Sequence, residues 1–214
     1  APEVERLTGG RVHLKILSNL AAHRLARVEA TFTAEELSDD GTRENGLQVI
    51  TGILEAHHFA IADPFRAVTH NKGVMNAISS VSVACGQDWR AIEAGCHAWA
   101  SHKSGIYTSM TQWTQDENGD LVGSIETPMA VGIVGGASKV HPVARANIAI
   151  LGVNSAQELA GIIAASGLAQ NLGALRALST SGIQAGHMKL HSRNMAVSAG
   201  ATGDEVEIVA QRLQ

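Results

Sequence analysis

This sequence predicts an α+β, helix-rich fold, and three features carry that prediction. Between residues 44 and 61, Leu47, Ile50, Ile53, Leu54 and His57 recur on one face of a helical period. Around Asp116–Asp120, valine, isoleucine, threonine and tryptophan alternate on both sides of Asn118-Gly119, a dipeptide suited to a tight hairpin. Ser155-Ala156-Gln157-Glu158 forms a capping box, and the small-residue run behind it reads as a closely packed helix over 156–171. With 214 residues and a 45% hydrophobic composition, the chain is long enough for one large domain, or one and a half small ones, around a sizeable core.

Taken in order, residues 11–17 alternate polar and apolar and read as a strand, broken by Ser18-Asn19-Leu20. Residues 24–33 read as a second strand, and residues 38–42 as a polar turn. The helix over 44–61 stops at Asp63-Pro64, because the residue before a proline is pushed out of the helical region. Two helices, 71–84 and 88–101, are expected on either side of Gly86, the second capped by Asp88. The hairpin follows, its second strand running through Gly123, Glu126 and Pro128 to Val134-Gly135-Gly136. After the helix at 156–171 come a short helix at 173–179, another from Ile183 to about Ala199, and a last one opened by Thr202-Gly203-Asp204-Glu205.

The bulk numbers exclude several classes. Aromatics are only 3% and no Lys/Arg run accompanies the net charge of −4, so neither base stacking nor a phosphate backbone is catered for. Two cysteines, Cys85 and Cys96, make no disulfide framework and read as buried free thiols in a reducing cytoplasm. Glu3, Glu5 and Arg6 interrupt any signal-peptide pattern. No run of about 20 uncharged apolar residues forms a membrane span.

The chemistry-bearing residues sit on glycine-punctuated polar segments. Lys72 lies in Ala67–Asn76, beside His70, Asn71 and Asn76, among small and amide residues rather than in a charged face. An ammonium held there can polarise a carbonyl and stabilise the charge that develops on its oxygen; the bland reading is a solvated lysine. Asp88 reads as a helix cap that can also accept a hydrogen bond from that ammonium. His187 and His191 share a helix face, but Met188 stands where a zinc protease would have glutamate, so a lone acid–base histidine fits better than a metal ligand. Gly132–Gly136 lacks a nucleotide-loop pattern and reads as tight backbone packing. His57-His58 straddles a face boundary with no function implied.

Five ordered motifs then resemble one family. They are Thr69-His70-Asn71-Lys72-Gly73, Asp88-Trp89-Arg90-Ala91, Glu126-Thr127-Pro128-Met129 leading to Val134-Gly135-Gly136, Gly167-Leu168-Ala169-Gln170-Asn171, and Gly182-Ile183-Gln184-Ala185-Gly186-His187-Met188. Together they resemble 3-hydroxy-3-methylglutaryl-CoA (HMG-CoA) reductase, in its bacterial class II form. The resemblance implies an oxidoreductase that interconverts HMG-CoA with mevalonate plus coenzyme A, using two nicotinamide hydrides. By it, Lys72 polarises the thioester and then the aldehyde carbonyl, Asp88 hydrogen-bonds Lys72, and His187 protonates the departing CoA thiolate. The resemblance also makes Arg66 the partner of the substrate carboxylate, and Asn76, Gln170 and Asn171 polar contacts around substrate. Asn19 and Asn76 become nicotinamide contacts. The wording is nearest to degradative, NAD-linked members, with NADP as the alternative, and the family's sites form between subunits, so a homodimer is expected.

The departures from the family bound the reading. Its catalytic glutamate, in a Glu-Glu-Pro-Ser-like motif, has no counterpart here. The chain is therefore expected to be the C-terminal portion of a longer enzyme. Residues 1–30 would end a small nucleotide-binding domain, 31–180 would be the large catalytic domain, and 181–214 would begin a C-terminal helical flap. Two rival readings accompany this one: a non-catalytic or split-subunit homologue, and a CoA-binding module without redox work.

Overall fold

The computed structural model describes residues 1–102, 104–180 and 183–213, and side chains throughout these except at 138 and 183–190. The elements run α1 (Pro2–Thr8), β1 (Leu25–Phe32), α2 (Ala34–Leu37), α3 (Arg43–Ala62), α4 (Pro64–Ala84), α5 (Trp89–His102), β2 (Thr111–Gln115), β3 (Leu121–Pro128), α6 (Gly136–Val140), α7 (Pro142–Leu151), α8 (Ala156–Ser179), α9 (Ile183–Ser198) and α10 (Glu205–Arg212). The fold is helix-rich α+β, as the sequence predicts.

A three-stranded antiparallel sheet, ordered β1-β3-β2, forms the floor. Leu25 lies opposite Pro128, and Thr111 opposite Ile125. Alternation sets its two faces: Leu121, Gly123, Ile125 and Thr127 are buried, while Val122, Ser124 and Glu126 are only half-buried. Gly123 is required by its partner, since a Cβ there would sit 2.2 Å from the ring of Trp113. Helix α8 crosses this floor and packs on α3 and α4, closing a core of Ile50, Ile53, Val74, Ile78, Leu159, Ile163 and Leu175. Gly46 lets α2 approach α3, because a Cβ would fall 1.8 Å from the Ala34 carbonyl oxygen.

Caps account for most boundaries. Thr42 accepts from Asn45 N at 3.2 Å, Asp63 from Phe65 N at 3.0 Å and Ser155 from Glu158 N at 3.1 Å. Asp63 with Pro64 at the first helical position therefore ends α3 and at once starts α4. This corrects one expectation: α4 begins at Pro64 rather than 71, so Lys72 is mid-helix rather than in the first turn. Likewise α8 runs unbroken from Ala156 to Ser179 through Gly173, because its buried face holds it against the sheet. Residues 11–17 form no strand; they have no strand to pair with, and Leu14, Ile16 and Leu17 are exposed. β1 crosses the boundary expected at residue 30 and pairs along its whole length with β3. The sequence reading did not anticipate α1, α2, α6 and α7, while Cys85 and Cys96 are buried free thiols as expected. No single helix among the described residues is long and apolar enough to cross a membrane.

Candidate functional site

Helix α4 presents opposite faces to two different environments. His70 and Asn71 point inward and are buried. The Asn71 carboxamide clamps one stretch of backbone, donating to Thr108 O at 2.8 Å and accepting from Met110 N at 2.9 Å. His70 Nε2 lies 2.9 Å from both Ser109 Oγ and Thr111 Oγ1. The Ser109 hydroxyl donates to Thr111 O and the Thr111 hydroxyl to Asn171 Oδ1, which leaves Nε2 as the donor; the buried Nδ1 has no partner for a second proton, so the neutral ring fits. Burial, then the charges of Arg66 and His57, push its pKa down to about 3. His57, whose Nε2 accepts from Trp113 N, is pushed down to about 4 by burial and by His58.

The outer face of α4 is a stripe of Phe65, Val68, Lys72, Asn76 and Val83, all exposed and spaced three to four residues or whole turns apart. Lys72 has no ion-pair or hydrogen-bond partner among the described residues. Arg66, on the flank of this stripe, is half-buried and also unpaired among the described residues, and burial lowers its pKa. A guanidinium partly out of water with no carboxylate beside it is a receptor for an incoming anion.

Asp88 sits elsewhere. It caps α5, its Oδ1 accepting from Ala91 N at 3.1 Å, and is exposed. The rise of α4 from Lys72 to Ala84 is about 18 Å, and Asp88 lies beyond that end. The expected Asp88–Lys72 hydrogen bond is therefore not made within the chain: a rigid helix places the two charges at separate levels. Asn19 is exposed, and its carbonyl oxygen approaches α5 so closely that a Cβ on Gly95 would lie 2.7 Å away.

Neighbours on α8 divide in the same way as those on α4. Gln170 is exposed, whereas Asn171 is buried and its Oδ1 accepts from Thr111 Oγ1 and Trp113 Nε1, both at 2.8 Å. Asn171 is thus anchored in the core through its carboxamide oxygen, while its side-chain NH2 makes none of the hydrogen bonds found among the described residues and can still donate. His187 lies on α9, with its side chain outside the described residues, and His191 is exposed.

Sequence reasoning missed Gln87. Its carboxamide donates to Cys85 O and Gly132 O and accepts from Gly132 N, all at 2.9 Å. An amide in a turn carries no local mark of a partner 45 residues away.

Comparison with known proteins sets this geometry in context. The family model described as hydroxymethylglutaryl-coenzyme A reductase matches residues 1–192. A 3-hydroxy-3-methylglutaryl-coenzyme A reductase of Archaeoglobus fulgidus is 56% identical over 211 residues, covering 99% of this chain and 46% of that protein. A probable reductase of Borreliella burgdorferi is 38% identical, covering 83% of this chain and 40% of its own length. The class II reductase of Streptococcus pneumoniae, solved bound to NADPH in open conformations, superposes with a TM-score of 0.79 at 43% identity, covering 99% of this chain and 50% of that one. The chain thus spans about half the length of the relatives it matches.

Proposed function

This chain belongs to the hydroxymethylglutaryl-coenzyme A reductase family, and we propose that it supplies the carbonyl-polarising half of an enzyme that interconverts HMG-CoA and mevalonate. The observation that carries this reading is the outer stripe of α4, where Lys72 stands among exposed apolar side chains with the half-buried Arg66 on its flank, neither paired among the described residues. Apolar flanks mean that the stripe is covered in the working enzyme, and covering it strengthens the field of the ammonium.

The reaction reduces a thioester to an alcohol: HMG-CoA, two reduced nicotinamides and two protons give mevalonate, coenzyme A and two oxidised nicotinamides. A bound nicotinamide supplies the hydrides. Asn19 and Asn76 offer exposed carboxamides, which fit the amide end of such a group. Lys72 stabilises the oxyanion formed at each carbonyl, and Arg66 holds the substrate carboxylate. Gln170 contacts substrate at the rim. His187 protonates the CoA thiolate as it leaves.

Because Asp88 and Lys72 are apart within one chain, the pair is completed between two copies in a homodimer, Asp88 of one facing Lys72 of the other. Mixed dimers of Lys72→Ala and Asp88→Ala protein test this. Recovered activity in the mixture supports pairing between copies, whereas a mixture as inactive as its parents rejects it.

NAD is the first nicotinamide to test, in the degradative direction, because the motif wording resembles degradative members. The NADPH bound to the pneumococcal neighbour favours NADP as the second reading. Absorbance of the reduced nicotinamide, followed with HMG-CoA or with mevalonate plus coenzyme A, decides between them. Coenzyme A affinity without turnover, or turnover only after adding a second polypeptide, would favour the binding-module and split-subunit readings respectively. The division into residues 1–30, 31–180 and 181–214 as small-domain end, catalytic domain and flap belongs to this same proposal.

A further inference from the structure

The turn that carries Asp88 is closed by its own backbone. Cys85 N donates to Val81 O, Gly86 N to Val83 O and Gln87 N to Ser82 O, and Gly86 takes the left-handed conformation (φ 68°) that the reversal needs. The Gln87 side chain is not needed to close this turn. It reaches away instead and treats Gly132 as a strand neighbour, donating to its carbonyl and accepting from its N–H, with a further donation to Cys85 O. Arg24 Nη2 pins the preceding carbonyl, Val131 O, at 2.7 Å. The Asp88 turn is thereby locked to the segment leaving β3, which is itself held to the start of β1.

We infer that Gln87 is a positioning residue, which fixes the direction of the Asp88 carboxylate by locking its turn to Gly132; this rests on the catalytic role proposed for Asp88. Asp88 has one oxygen committed to its helix cap, so the other can point only where the turn aims it. Loss of the lock leaves the helix and its cap in place but frees the turn to rotate against the Gly132 segment. The effect falls on the chemical step rather than on substrate binding, since Arg66, which holds the substrate carboxylate, lies on α4 away from this turn.

The test uses the native polypeptide or complex that carries this chain, with rates taken per mole of protein in the native size-exclusion peak. Gln87→Met removes all three bonds at similar volume. Its kcat for HMG-CoA reduction should fall by about 10- to 100-fold, with KM for HMG-CoA within about twofold of wild type. Gln87→Glu keeps the bond from Gly132 N and should fall between the two. A kcat per native molecule equal to wild type in Gln87→Met, or a KM that rises in step with the loss of kcat, overturns the inference. If Gln87→Met does not fold, wild-type kcat in Gln87→Glu overturns it and a lowered kcat at unchanged KM supports it. Asp88→Asn is measured alongside: full activity in that variant removes the role of Asp88, whereas its loss beside an unaffected Gln87→Met removes only the lock.

Discussion

The two faces of α4 use one short motif for opposite purposes. On the inner face His70 and Asn71 are buried, and each is committed to backbone or hydroxyl partners between Thr108 and Thr111. On the outer face Lys72 and Asn76 are exposed, and Lys72 has no partner among the described residues. The inner pair fixes the rotation of the helix, and that rotation decides where the outer pair points. The lesson is that polar residues adjacent in sequence can be framework and chemistry respectively, with only the helical period separating them.

The sharpest way to break this comparison is to exchange the expected losses. Lys72→Ala should lower kcat for HMG-CoA reduction by about 10²–10³-fold, as removal of an oxyanion stabiliser does, with unfolding free energy within about 0.5 kcal/mol of wild type. Steady-state kinetics and urea denaturation measure the two. Asn71→Leu should behave the other way. It strands the buried N–H of Met110 and the carbonyl of Thr108, and each orphaned group costs about 1–3 kcal/mol. A urea midpoint unchanged in Asn71→Leu would show that the inner face is not the framework.

How much of this was legible beforehand differs between fold and site. Strong local signals were read correctly: the period of α3, the Asn118-Gly119 hairpin and the Ser155 cap of α8 each act within a few residues, although the Glu158 side chain accepts from Asn154 N instead of closing the capping box on Ser155. Failures came where tertiary contact overrides local preference. Gly173 does not break α8, because the helix is held along its buried face, and residues 11–17 alternate like a strand but have no strand beside them. Helix α7 was missed because its cap is His141 Nδ1, an unusual acceptor for Ala144 N. For the site, the motif strings pointed to Lys72, Asp88 and His187, but nothing local says which neighbour turns inward. The anchoring of Asn171 through its Oδ1 was therefore not foreseen, and Gln87 was passed over.

The core between α3 and the inner face of α4 also carries an acid sensitivity. His57 and His70 are held neutral, with pKa values near 4 and 3 against an ordinary value of 6.5. Between the folded and unfolded values the unfolded chain binds more protons, so stability is full above about pH 6.5 and falls as pH drops towards 4 and then 3. Each histidine contributes a slope of up to about 1.4 kcal/mol per pH unit in that window. His57→Gln should flatten the dependence of the urea midpoint on pH between 6.5 and 4. An equal slope in wild type and variant would mean that His57 is charged in the folded protein.

The smallest expected effect tests whether the division on α4 repeats on α8. Gln170 and Asn171 are adjacent, yet one is exposed and the other accepts from both Thr111 and Trp113. Gln170→Ala should leave stability unchanged, because a solvated amide has no buried partner to strand. If it contacts substrate at the rim, KM for HMG-CoA should rise by about tenfold, the worth of one ordinary hydrogen bond, with kcat little changed. Asn171→Ala should instead lower the urea midpoint, since the hydroxyl of Thr111 and the indole N–H of Trp113 both lose their acceptor. Should Gln170→Ala lower the midpoint as much as Asn171→Ala, adjacency rather than facing would govern both residues, and the two-faced account of α4 would lose its second instance.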